Sequence, residues 1–169
     1  MTPTGPLLIC YDGSDGARTA LEAAVAVFDR PTVVACYWQP FGESGRRLGM
    51  DLLELVQDPA SINEREGAAA RQFAEEGAAL IQAAGKVAEA AAVKVSTPID
   101  EAIHRHADEL DACAIVLGSR SRSGLGSILL GDVAGDVVQL SDRPVFVVPS
   151  GPLAERRRAD RAAGSGTAV

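Results

Sequence analysis

The amino-acid sequence predicts an α/β fold, built on a parallel β-sheet that is covered by helices on both faces. Five short apolar runs are continuous rather than alternating, as expected for strands that are buried on both sides. Segments with helical periodicity separate these runs, and this alternation is typical of a parallel sheet. The chain has 169 residues, of which 47% are apolar and only 4% aromatic. We therefore expect one domain, over residues 1–150, with an aliphatic core.

The charge and cysteine content narrow the class of protein. A formal net charge of −7 argues against nonspecific binding of nucleic acid or of an anionic membrane, which needs a basic surface. No apolar run approaches the ~20 residues of a membrane span, and the N-terminus lacks the pattern of a signal peptide. Cys10, Cys36 and Cys113 lie in or beside predicted strands, so we expect buried, reduced thiols. These features predict a cytoplasmic protein.

The first half of the chain begins with a strand at residues 6–11. It stops at the cluster Asp-Gly-Ser-Asp at 12–15, which predicts a turn and a helix cap. Apolar residues at helical spacing follow up to Phe28. Residues 32–38, rich in β-branched and aromatic side chains, predict the second strand.

Residues 39–60 contain three glycines and two prolines, and we interpret them as a mobile loop, or lid, with one short helix. Ser61 is predicted to cap a long helix that runs to about residue 84, with Glu64 as its capping-box partner. Gly85 is expected to end this helix.

The second half continues the alternation of strand and helix. Residues 87–95 predict the third strand, and Thr97 and Pro98 predict a helix start. Residues 112–118 and 144–148 predict the last two strands, with a helix at 131–140 between them. Residues 151–169 are polar and rich in arginine, then in glycine and alanine, and predict a disordered tail.

The predicted loop after the fourth strand gives the clearest indication of a binding function. It combines small residues, backbone amides and arginines at a strand end and a helix start, an arrangement suited to an anion such as phosphate. Parallel sheets bind ligands beyond the carboxyl ends of their strands, where the strand order reverses. The loops that follow the first, second and fourth strands are expected to meet there.

These residues resemble the universal stress protein family over about residues 6–149. The resemblance rests on Asp12-Gly13-Ser14, on the segment 112–122 and, most specifically, on 128–149 with Asp142-Arg143-Pro144 before the last strand. It implies a flavodoxin-like sheet with strand order 3-2-1-4-5. It also implies a stress-response module, and some members of the family bind ATP.

The ATP-binding members are similar in carrying a glycine, two residues, a glycine, nine residues, and then Gly-Ser or Gly-Thr. The matching positions here are Gly118, Ser121, Gly131 and Asp132, so the second and the last positions differ. By the same resemblance, Asp12 would lie near the adenosine and the Tyr37 backbone near the adenine ring. The candidate nucleotide-binding residues are Asp12, Tyr37, Gly118, Ser119, Arg120, Ser121, Gly131, Asp132 and Val133.

The two departures leave two interpretations open. Ser121 keeps a backbone amide and adds a hydroxyl, whereas Asp132 would place a carboxylate where the phosphates should lie. At ~5 Å and an effective dielectric constant of about 20, such repulsion costs on the order of 3 kcal/mol, or ~100-fold in affinity. A Mg²⁺ ion held by Asp132 would reverse the sign. Either ATP or a related adenine nucleotide binds, with or without Mg²⁺, or Asp132 and Ser121 close the site of a protein that acts through interactions alone.

No positioned general base is apparent, so we expect at most slow ATP hydrolysis and no metal site of the protein's own. His104 and His106 are two residues apart on a predicted helix and face different sides, which predicts surface or rim histidines rather than shared metal ligands.

The fifth strand should lie at an edge of the sheet, and it is apolar and uncharged. Val145, Phe146, Val147 and Val148 would be hazardous as an unpaired edge. Pairing with the same strand of a second copy would give a two-fold homodimer, which the family resemblance also implies. The alternative is that the C-terminal tail covers this edge. A further protein partner is expected but is not identified by the sequence.

Overall fold

The computed structural model describes residues 4–41, 58–119 and 132–164. Its centre is a five-stranded parallel sheet with the order β3-β2-β1-β4-β5, so the predicted fold class and strand order are confirmed. The strands are β1 (Leu7–Cys10), β2 (Thr32–Trp38), β3 (Ala88–Lys94), β4 (Ala114–Ser119) and β5 (Val145–Pro149). The helices are α1 (Asp15–Val27), α2 (Pro59–Ala83), α3 (Ile99–Glu109), α4 (Asp132–Leu140) and α5 (Gly151–Gly164).

The central strand β1 is buried on both faces. It pairs in parallel with β2 on one side, where Leu7 lies opposite Thr32, and with β4 on the other, where Leu7 lies opposite Ala114. Because successive side chains of a strand point to opposite faces, Leu7 and Ile9 pack with α1 and α2, whereas Leu8 packs with α3 and α4. This explains why the strand reads as a continuous apolar run.

Helix α1 begins where the sequence predicts. Ser14 is its N-cap residue, and the Ser14 hydroxyl accepts a hydrogen bond of 3.2 Å from the backbone N–H of Ala17. Gly13 precedes it with a φ of 75°, a left-handed conformation that glycine adopts without strain. The chain therefore turns sharply between β1 and α1.

Two predicted helix starts are wrong by a few residues. The N-cap of α2 is Asp58 rather than Ser61, because the Asp58 carboxylate accepts the N–H of Ser61 at 3.1 Å and Pro59 occupies the first helical position. Helix α3 begins at Ile99, after Pro98, which has an extended conformation and makes no side-chain cap. Thr97 is thus one residue outside the helix boundary.

The structure also differs from the prediction of a disordered tail, because residues 151–164 form α5. Alanine, arginine, glutamate and leucine favour helices, and Leu153 is buried at the start of α5. Most of the predicted loop at 39–60 lies outside the described residues. Near the beginning of this segment, the backbone N–H of Phe41 donates a hydrogen bond of 2.6 Å to Asn63 Oδ1 on α2.

Helix α3 is held against the sheet by Arg143, whose side chain is only 6% exposed. Its guanidinium donates to the carbonyls of Ala107 at 2.7 Å and Ala112 at 3.2 Å, and it pairs with Asp108. The Ala107 carbonyl lies in the last turn of α3, where a cation is favourable, and Ala112 lies in the connection from α3 to β4. The segment before β5 therefore fixes the position of α3.

The three cysteines are free, as predicted. Cys36 is buried, and Cys10 and Cys113 are half-buried. In the part of the chain that the structure describes, no helix is long and apolar enough to cross a membrane.

Candidate functional site

A cavity of about 260 Å³ opens at the carboxyl ends of β1, β2 and β4. This is the point where the strand order reverses, since β2 lies on one side of β1 and β4 on the other. We call it the switch-point cleft. Its walls are formed by Cys10, Tyr11, Asp12, Ser14, Gly16, Ala17, Ala35, Tyr37, Ile99, Ile103, Leu117, Gly118, Val133 and Ala134.

Asp12, which follows β1, lines this cleft. Asp12 Oδ1 accepts a hydrogen bond of 3.1 Å from the N–H of Ser14, so the carboxylate also braces the turn that leads into α1. The preceding residue, Tyr11, is fully buried on the α1 and α2 side, and its hydroxyl donates to Glu76 Oε1 at 2.9 Å. Burial and the Glu76 carboxylate raise the pKa of Tyr11 to about 12, so this phenol keeps its proton at neutral pH.

Gly118, at the end of β4, touches the first turn of α1. A Cβ atom at Gly118 would lie 2.4 Å from the carbonyl oxygen of Gly16 and 2.7 Å from the backbone nitrogen of Ala17. Both Gly16 and Gly118 line the cleft. A side chain at position 118 would therefore separate two of the cleft walls.

Ser119 follows Gly118 and is 2% exposed. Its hydroxyl has no hydrogen-bond partner within the described residues. An unsatisfied buried hydroxyl is costly unless a ligand or water completes it. Ser119 thus stands next to the cleft with an unused donor and acceptor.

The remaining predicted phosphate residues are only partly described. Val133, in the first turn of α4, lines the cleft and is 37% exposed. Asp132 is the first residue of α4, but its side chain lies outside the described set. Arg120, Ser121 and Gly131 also lie outside the described residues.

Tyr37 closes the cleft on the side of β2, and its surroundings were not predicted. The Tyr37 hydroxyl is 2.9 Å from His106 Nδ1, and the two rings meet edge to face at a centroid distance of 5.9 Å. Burial strongly raises the pKa of Tyr37, and burial lowers the pKa of His106 against the opposing effect of Glu109. Both groups are therefore neutral at pH 7, and one hydrogen bond joins them. His106 is half-buried, and the sequence did not predict its contact with Tyr37.

Sequence reasoning also missed the apolar wall made by Ile99 and Ile103 of α3. Together with His106, these residues stand at positions i, i+4 and i+7, which share one helix face. From that spacing alone, the sequence could have predicted that these three residues lie on one face of the helix. Their contact with the cleft depends on α3 crossing the sheet, which the sequence alone does not display.

Cys10 also lines the cleft, facing Tyr37 and α3. Burial, with smaller effects from Cys36 and Asp12, raises the pKa of Cys10 far above its usual range. The thiol is therefore protonated and contributes an apolar surface rather than a nucleophile. Among the described residues, no group of three or more histidine, cysteine or carboxylate side chains could hold a metal ion.

The predicted dimer edge is strand β5, at one end of the sheet order. Phe146 is 40% exposed and packs edge to face on Phe28 at 4.7 Å. Val145, Val147 and Val148 are half-buried. Within this chain the edge therefore presents apolar side chains to solvent.

A doubly wound parallel sheet with a cleft at its switch point defines a flavodoxin-like α/β domain. The model of the universal stress protein family matches residues 4–149, so the chain belongs to this family. It is also similar to "Universal stress protein YxiE" of Bacillus subtilis (strain 168), with 31% identity over 149 residues that cover 84% of this chain and 97% of the relative.

Solved structures of this family share the fold. A universal stress protein from Archaeoglobus fulgidus is 26% identical, with a TM-score of 0.64, over 85% of this chain and 98% of the other. A structure from the same organism in complex with dAMP is 23% identical, with a TM-score of 0.54, over 86% and 98% of the two chains. A universal stress protein in complex with cAMP is 19% identical, with a TM-score of 0.56, over 87% and 98%.

Proposed function

We propose that this protein is a cytoplasmic stress-response module that binds ATP or a related adenine nucleotide in the switch-point cleft. The observation that carries the proposal is the composition of the cleft, whose lining is mostly apolar with few polar groups. Cys10, Ile99 and Ile103 belong to the apolar lining, while Asp12 and Ser14 are polar. Few polar groups around a mostly apolar cleft are typical of sites for small organic ligands.

The phosphate side of the cleft supports the same ligand class. The buried Ser119 hydroxyl lacks a partner among the described residues, and the next described element, α4, begins at Asp132. A helix start presents free N–H groups that favour an anion.

The family provides further support. Two relatives of the same fold are described in complex with dAMP and with cAMP. A bound adenine nucleotide would act here by favouring one arrangement of the loops around the cleft, and so by changing the affinity for a partner protein.

Isothermal titration of ATP into the purified protein, first checked for co-purified nucleotide, tests the proposal. We expect micromolar binding with or without Mg²⁺. Binding only in the presence of Mg²⁺ would indicate that the cation offsets a negative charge such as that of Asp132. An absence of heat at millimolar ATP in both titrations would contradict nucleotide binding.

A second candidate is a dimeric interaction protein whose cleft takes no nucleotide. It is favoured by the residue type at the first position of α4, which is Asp132, because negative charge near a helix start competes with an anionic ligand. The variant Asp132→Ser distinguishes the two candidates. If ATP binds only to this variant, the site is blocked in the natural protein. Asp136→Ser is the matched control, since Asp136 is exposed one turn further along α4.

We also propose a homodimer that pairs β5 with its copy. The exposed Phe146 would be covered by such a two-fold contact. Sedimentation of Phe146→Asp should show a monomer where the unmodified protein shows a dimer. Val138→Asp, which charges a comparably exposed apolar residue on α4, should leave the dimer intact. A monomeric unmodified protein would overturn this part of the proposal.

A further inference from the structure

Helix α3 contributes three residues to the switch-point cleft and its surroundings. Ile99 and Ile103 form part of the cleft wall, and His106 follows on the same helix face. The His106 ring reaches the side chain of Tyr37, which lies on β2. Arg143 in turn fixes the end of α3 by donating to the carbonyl of Ala107, the residue after His106. The acceptor that Tyr37 meets is therefore held in a defined place.

The Tyr37 hydroxyl is occupied by this contact. At 2.9 Å from His106 Nδ1, it makes its hydrogen bond within the protein rather than to a ligand. The part of Tyr37 that remains for the cleft is its ring and its backbone. The neighbouring side chain on this wall, Cys10 of β1, is apolar in behaviour as well. This side of the cleft accordingly fits a flat, apolar ring face.

We infer that His106 is a positioning residue of the cleft, which holds the Tyr37 ring as the wall against which a nucleobase packs. This inference rests on the proposed function, because it assigns the base to the Tyr37 side of the same cleft. It has two physical consequences. The ring is oriented before the ligand arrives, so less side-chain freedom is lost on binding. The base is selected by shape on this wall rather than by a hydrogen bond to the tyrosine.

The test compares ATP with inorganic tripolyphosphate, which lacks the base and the sugar. His106→Leu removes the imidazole, and Tyr37→Phe keeps the aromatic ring but removes the hydroxyl. Each should weaken ATP binding by roughly 2- to 12-fold, the range for one net hydrogen bond, while leaving tripolyphosphate binding unchanged. The double variant should bind ATP no more weakly than either single variant, since both remove the same interaction.

A conservative variant provides the rescue. His106→Asn places an amide oxygen near the position of Nδ1 and should restore ATP affinity to within about twofold of the unmodified protein. His104→Asn is the matched control, because it makes the same substitution two residues away on another side of α3, and it should have no effect. Equal ATP affinity in all variants would overturn the inference. A parallel loss of ATP and tripolyphosphate would also overturn it, since that pattern indicates general damage.

Failure of the proposed function gives a different result. If the unmodified protein binds neither ATP nor tripolyphosphate, the nucleotide assignment falls, and the base-wall role of Tyr37 falls with it. The hydrogen bond itself is then read from the ¹⁵N chemical shifts of the His106 ring in the free protein. An acceptor Nδ1 and a protonated Nε2 are expected, with a clear change in Tyr37→Phe. Unchanged shifts in that variant would refute the positioning contact independently of any ligand.

Discussion

Replacing Gly118 by alanine should destabilise the protein more than its small size suggests. The added Cβ would lie 2.4 Å from the carbonyl oxygen of Gly16 and 2.5 Å from its carbonyl carbon, whereas ordinary contact begins at 3.4 Å. The first turn of α1 and the end of β4 would have to separate by about 1 Å. Both are backbone segments, so no side chain can rotate away. Overpacking in a tight interior costs about 1–3 kcal/mol, and we expect the upper half of that range.

Denaturant unfolding of the purified protein provides the assay, with the change in midpoint read at an unchanged slope. A loss of 2–3 kcal/mol corresponds to a decrease of roughly 4–12 °C in melting temperature for a domain of this size. Gly151→Ala is the matched control, because a Cβ at Gly151 meets nothing within 4 Å. The reasoning is refuted if Gly118→Ala costs no more stability than Gly151→Ala.

Three further predictions concern Arg143, Cys10 and His106. Arg143→Met should lower the free energy of unfolding by about 2–4 kcal/mol, because two buried carbonyls and a carboxylate lose their donor; a loss below about 1 kcal/mol in denaturant unfolding would contradict this. The Cys10 thiol should resist iodoacetamide at pH 8 in the folded protein and react on unfolding, because its raised pKa keeps it protonated; rapid labelling of the folded protein, read by mass spectrometry, would be the opposite result. Because burial lowers the pKa of His106, its contribution to stability is complete above the unfolded value of about 6.5 and decreases as the pH falls below it. Unfolding measured from pH 7.5 to 5 should therefore lose less stability in His106→Asn than in the unmodified protein, and equal slopes would argue against a shifted histidine.

The predicted architecture agrees with the structure because the three central strands, β1, β2 and β4, are largely buried on both faces. The outer strands β3 and β5 differ from the prediction, since their residues are mostly exposed or half-buried. Residues 32–38 were predicted as a strand and form β2 with the same ends. Helix starts were less accurate, since Asp58 and Ser61 are both good capping residues and only the folded backbone selects between them. The helix at Gly151–Gly164 was missed because charged, arginine-rich segments are read as tails when the contact that buries Leu153 is not visible in the sequence.

Local sequence also predicted the part of the site that follows directly from strand ends. Asp12 and Gly118 come at the ends of β1 and β4, and both line the cleft. The carboxyl ends of parallel strands meet at one edge of a sheet, so their proximity follows once the strands are known. The glycine at 118, by contrast, owes its identity to the approach of Gly16, which is remote along the chain.

The sequence by itself therefore determined the class of sheet, the family and the strand ends that line the cleft. Each of these follows from short sequence patterns, whose residues lie close together along the chain. Only the tertiary structure decided what the cleft walls are made of. Tyr37 and His106 are 69 residues apart, and they meet because α3 crosses back over the face of β2 and β1. Hydrophobic periodicity predicts that one face of a helix is buried, but it does not predict which strand that face covers. The partner strand is known only from the packing of α3 in the folded protein.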